Sequence, residues 1–63
     1  MFFKQFFEKE SSTYTYMLGC EETRVAVLID PVASDIEIYA KELEQHQFTL
    51  IYTLDTHVHA DHI

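Results

Sequence analysis

Apolar and polar residues change their period several times along this chain, and each change marks an element. Residues 13–18, TYTYML, combine Thr and Tyr in the way that suits a pleated, half-buried strand. Residues 2–7 carry apolar side chains at 2, 3, 6 and 7; their aromatic richness and the Ser-Ser pair that follows favour a strand. Residues 24–29, RVAVLI, form a continuous apolar run, which predicts a strand buried on both faces. Between these two strands GCEET reads as a turn in which Gly19, the only glycine, supplies positive φ. The two strands are expected to form an antiparallel hairpin across it.

Pro31 stops the third strand, because it has no N–H to donate and restricts Asp30 before it. SDIE then reads as a capping box, with Ser34 as N-cap and Glu37 as its reciprocal partner. Ile36, Tyr39, Ala40 and Leu43 follow at the spacing of one helical face, and the helix is expected to fade near His46. Residues 49–54, TLIYTL, read as another buried strand. The order is β-β-β-α-β, an α/β pattern whose last step predicts a parallel pair joined by a right-handed crossover. One helix covers one face of such a sheet and leaves the other bare.

Length changes the picture. With 63 residues the chain is at most one small domain, and chains of this size bury too little surface for more than marginal stability. Small folds are often reinforced by disulfides or metal. Cys20 is the only cysteine, so no disulfide can form within the chain, and a lone thiol fits a reducing, cytoplasmic setting. The net charge of −7 and the scattering of Lys4, Lys9, Arg24 and Lys41 give no basic patch for nucleic acid or anionic membrane. MFFKQFFEKE is broken by Lys4 and Gln5 and lacks a signal-peptide core. No apolar run approaches a membrane span.

The strongest chemical signal closes the chain. In THVHADHI, three histidines and an aspartate fall within His57, His59, Asp61 and His62, directly beyond a strand. In open α/β sheets, sites form beyond the carboxyl ends of the strands. Imidazole and carboxylate suit borderline divalent metals such as zinc and iron. His-X-His sets two imidazoles on one side of an extended segment, whereas Asp61 and His62 diverge unless the chain turns. A turning loop could aim one pair at one metal and the other pair at a second, an arrangement that activates water. His46, after the helix, reads as a structural or surface histidine, and Cys20 as an inert thiol.

THVHADH matches the Thr-His-X-His-X-Asp-His signature of the metallo-β-lactamase fold superfamily, and LIDP resembles that superfamily's earlier strand-ending Asp motif. The resemblance implies the N-terminal part of an αββα sandwich, with element order β-β-β-α-β and then the metal loop, and it implies that Asp30 orients that loop. FFKQFFEKESSTYTYML, VLIDPV and THVHADHI together resemble the persulfide dioxygenase branch, whose members oxidise glutathione persulfide to sulfite with one iron. The glyoxalase II branch, binuclear hydrolases of glutathione thioesters, shares the metal motif but generally not SSTYTY.

On this resemblance residues 1–63 are the N-terminal fragment of a single incomplete domain, expected to be inactive alone. The complete protein would be an Fe(2+) dioxygenase in which His57 is an iron ligand and His59, Asp61 and His62 surround it. The alternative is a hydrolase with two Zn(2+), His57 and His59 holding one and Asp61 and His62 the other. Both take a glutathione-type small molecule. A third reading, of another class, is a non-catalytic metal-binding or self-associating piece, a homo-oligomer covering its bare face with a copy of itself.

Overall fold

Along β2 (Thr13–Cys20), Thr15, Met17 and Gly19 are buried while the residues between them are not, which is the signature of a strand with one covered face. The computed structural model describes residues 1–56. They form a four-stranded sheet in the order β1-β2-β3-β4, with β1 spanning Phe2–Glu8, β3 Val25–Ile29 and β4 Thr49–Leu54. β1–β2 and β2–β3 pair antiparallel, and β3–β4 pair parallel, as the β-α-β step requires.

Register fixes which side chains share the covered face. Phe2, Lys4 and Phe6 sit opposite Gly19, Met17 and Thr15, and Met17 and Gly19 sit opposite Leu28 and Ala26. Helix α1 (Ile36–Gln45) lies over this face. Met17, Leu28 and Tyr39 make the buried core, with Phe2, Phe6 and Leu43 packed against it. Phe6 meets Tyr39 edge-on at 5.2 Å, and Lys4 donates to Glu42 of α1 at 3.0 Å while its ammonium lies over the Phe6 ring.

Four expectations change. Gly19 is no turn residue: β2 runs through Cys20, and no glycine has positive φ. Arg24 takes the left-handed position of the hairpin turn instead, at φ 61°. The glycine is needed for space, because a β-carbon there would lie 2.6, 2.7 and 3.0 Å from three atoms of the Phe48 ring. Ser34 caps nothing: it lies in a 3-10 turn, Ala33–Asp35, ahead of α1, and neither helical start has a side-chain cap. Ile36 N–H donates to the Ala33 carbonyl, so the tighter turn occupies one of the donors that a cap at Ser34 would serve.

The other two changes concern burial. β3 buries Ala26 and Leu28, but Val25, Val27 and Ile29 stay half-buried, because among the described residues nothing lies over the opposite face. β4 is exposed along all six residues. It is the edge strand, and an apolar cleft of about 400 Å³ lined by Leu28, Ile36, Ala40, Leu43, Leu50 and Thr53 lies on the helix side. Continuous apolarity in these strands therefore marks surfaces that exceed what one helix can cover. No helix among the described residues is long and apolar enough to cross a membrane.

Candidate metal loop and its anchor

Because β3 and β4 are parallel, both carboxyl ends reach the same edge of the sheet. Ile29 pairs with Leu54 at the last rung, and Asp30 N–H donates to the Leu54 carbonyl at 2.7 Å. Pro31 then prevents the ladder from continuing. Asp30 adopts φ 57°, the left-handed region. That conformation costs a residue with a β-carbon about 1–2 kcal/mol, although Asp visits it more readily than most.

The twist at Asp30 serves its carboxylate. Oδ1 accepts the Thr56 N–H at 2.7 Å, and Oδ2 accepts the Thr56 hydroxyl in a short bond. Two donors of one residue thus meet two oxygens of one ionised group, an arrangement stronger and more directional than a single neutral hydrogen bond. Asp30, expected to orient the loop, does hold its first residue.

Behind Asp30, β2 and α1 contribute two hydroxyls. Thr15, 1% exposed, donates its hydroxyl to the Asp30 carbonyl at 2.6 Å. Tyr39 donates to the Thr15 oxygen at 3.0 Å and accepts the Val32 N–H at 3.0 Å. Among the described residues no buried side-chain polar atom lacks a partner. Sequence reasoning missed Thr15 and Tyr39 as contributors. The available signal was the strand alternation that places Thr15 on the same face as Met17, where a hydroxyl must find an acceptor.

His57, His59, Asp61 and His62 lie outside the described residues, one to six positions beyond Thr56. Among the described residues no group of three or more His, Cys, Asp or Glu could hold a metal. His46 is structural, as expected: its ring lies 4.4 Å from Phe2 and 5.8 Å from Phe48, and its Nε2 meets Glu42 at 3.0 Å. Cys20 is a free, half-buried thiol at the end of β2; the Thr23 hydroxyl, then the Thr23 and Glu22 main-chain N–H groups, hold its pKa below the usual value.

No protein-family model matches the chain. Individual proteins do. It is 48% identical over 60 residues to the mitochondrial persulfide dioxygenase ETHE1 of Bos taurus, covering 95% of this chain and 24% of that protein. It is 43% identical over 51 residues to a probable hydroxyacylglutathione hydrolase of Schizosaccharomyces pombe, covering 78% of this chain and 20% of that protein. Among solved structures, ETHE1 from Myxococcus xanthus superposes with a TM-score of 0.89 at 52% identity, covering 100% of this chain and 28% of that one. A metallo-β-lactamase from Staphylococcus aureus gives 0.85 at 38% identity, covering 95% and 18%. The chain thus spans about a quarter of the curated relatives' length. It has the N-terminal part of the metallo-β-lactamase fold, and its sequence resembles the persulfide dioxygenases of that superfamily.

Proposed function

We propose that this chain is the N-terminal part of an iron-dependent persulfide dioxygenase that oxidises glutathione persulfide to sulfite. The observation that carries this reading is the 48% identity to a persulfide dioxygenase over 60 residues, 95% of this chain. The donor set fits iron: imidazoles and a carboxylate follow a residue whose main chain and hydroxyl are both clamped. His57 would be an iron ligand, with His59, Asp61 and His62 around it. Iron held with open coordination positions would supply the sites where substrate and O₂ meet. The described residues contribute orientation. Asp30 holds Thr56, the residue before His57, by two hydrogen bonds as the chain leaves β4. An intracellular compartment suits the lone thiol, and the mitochondrial naming of the mammalian relatives widens the expectation beyond the cytoplasm.

The hydrolase relative supports a second reading, a binuclear thioesterase in which His57 and His59 hold one zinc and Asp61 and His62 the other. Metal analysis of two variants of the full-length protein separates them. One metal per chain, lost in His57→Ala and kept in His62→Ala, together with O₂ consumption on glutathione persulfide, supports the dioxygenase. Two metals falling to one in His62→Ala, with hydrolysis of a glutathione thioester, replaces it with the hydrolase.

A further inference from the structure

The hydroxyls behind Asp30 form a relay of fixed polarity. Val32 N–H can only donate and the Asp30 carbonyl can only accept, while each hydroxyl has one proton to give. Tyr39 must therefore accept from Val32 and donate to Thr15, and Thr15 must donate to Asp30. The relay reaches across Pro31: one end holds the residue before it and the other the residue after it. Proline brings no N–H of its own to tie this turn, so side chains from β2 and α1 supply the fastening.

The consequence falls on the carboxylate. Asp30 N–H is held by Leu54 and its carbonyl by Thr15, on either side of a left-handed φ that an untethered chain would tend to leave. With both main-chain groups held, the direction of the side chain is set, and it points at both donors of Thr56. We propose that Thr15 and Tyr39 are positioning residues for the metal loop: their relay holds the Asp30 turn so that its carboxylate clamps Thr56 and aims the chain that follows. This rests on the reading that the residues after Thr56 hold a metal.

The test uses the full-length protein with iron(II), and with cobalt(II) as a spectroscopic probe. Thr15→Val keeps the shape of the side chain and removes its hydroxyl, whereas Thr15→Ser keeps the hydroxyl. Tyr39→Phe keeps the ring against Phe6 and removes the relay's middle member. Loss of a group that orients a metal loop lowers affinity by about 10–100-fold. Thr15→Val and Tyr39→Phe, acting one step behind Asp30, are expected near the lower end of that range in chelator competition. Both should shift the cobalt(II) absorption bands, and Thr15→Ser should retain wild-type affinity and bands. If Thr15→Val does not fold, Tyr39→Phe carries the same test alone. Wild-type affinity and bands in the folded variants that lack a hydroxyl overturn the positioning role while leaving the metal reading intact, as does a Thr15→Ser as weak as Thr15→Val. A wild-type protein that takes up neither metal overturns both.

Discussion

The two ends of this small sheet are built by different physics. At the carboxyl end of β3 and β4, Asp30 is held by polar contacts from Leu54, Thr15 and Thr56. At the opposite end of β3, where β2 turns back, shape does the fastening. Gly19 leaves room for the Phe48 ring, Phe2 and His46 pack beside it, and Arg24 lies over its face while donating to the His46 carbonyl at 3.1 Å. Packing tolerates small displacements at a graded cost, whereas a hydrogen bond specifies direction as well as distance. At the carboxyl end side-chain hydrogen bonds converge on one aspartate, whereas at the other end hydrogen bonds such as Arg24 to His46 are joined by packed rings.

The comparison is broken most severely at Asp30. Asp30→Ala removes both acceptors of Thr56, so the metal affinity of the full-length protein should fall by about 10–100-fold. Chelator competition of purified variant and wild type reads this directly; equal affinity would show that the clamp does not serve the site.

At the other end, Gly19→Ala pushes a methyl group into the Phe48 ring. Overpacking of this kind costs about 1–3 kcal/mol, which should appear as a lower melting temperature. The folded fraction should bind metal normally, so a variant that lost metal at unchanged stability would erase the proposed difference between the ends.

The smallest effect concerns acid. Burial pushes the Glu42 carboxyl up, but the hydrogen bonds and charges of Lys4 and His46 outweigh it and hold its pKa below the ordinary 4.5. A carboxyl depressed in the fold contributes stability above its unfolded pKa, and that contribution fades as pH falls from 4.5 through the lowered value. Glu42→Gln should therefore be slightly less stable than wild type at neutral pH and lose less on acidification. Parallel melting curves from pH 7 downward check the sign.

These contrasts bear on how legible the molecule was. The element order and the parallel last pair follow from features that are local in sequence: Tyr-Thr alternation, the stop at Pro31, and a helix between two apolar runs; the role of Asp30 was legible only through the resemblance of LIDP to a known motif. The errors arose where a residue answers to a distant neighbour. Gly19 is explained by Phe48, 29 positions away, and no local pattern distinguishes a glycine that turns from one that makes room. Ser34 had the right spacing for a cap, but the turn after Pro31 settled into a 3-10 geometry that used one of the same donors. TLIYTL was read as buried because apolarity reports what a strand would cover, not whether the covering layer lies within these residues. Thr15 and Tyr39 were visible as strand and helix residues; their pairing depends on three elements meeting, which only coordinates reveal.

β4 carries a further consequence. It ends the sheet order, so among the described residues its outer row of main-chain N–H and C=O groups meets no neighbouring strand. Its six residues, Thr-Leu-Ile-Tyr-Thr-Leu, are uncharged, rich in strand-forming side chains and exposed throughout. Segments of six or seven residues with that composition are the nuclei of steric zippers, in which identical strands stack in register along a fibril axis. Asp55, the first charge after the strand, stands where a gatekeeper would. The strand that leads to Thr56 is thus also a template for cross-β stacking, so in isolation this chain is expected to self-associate through it.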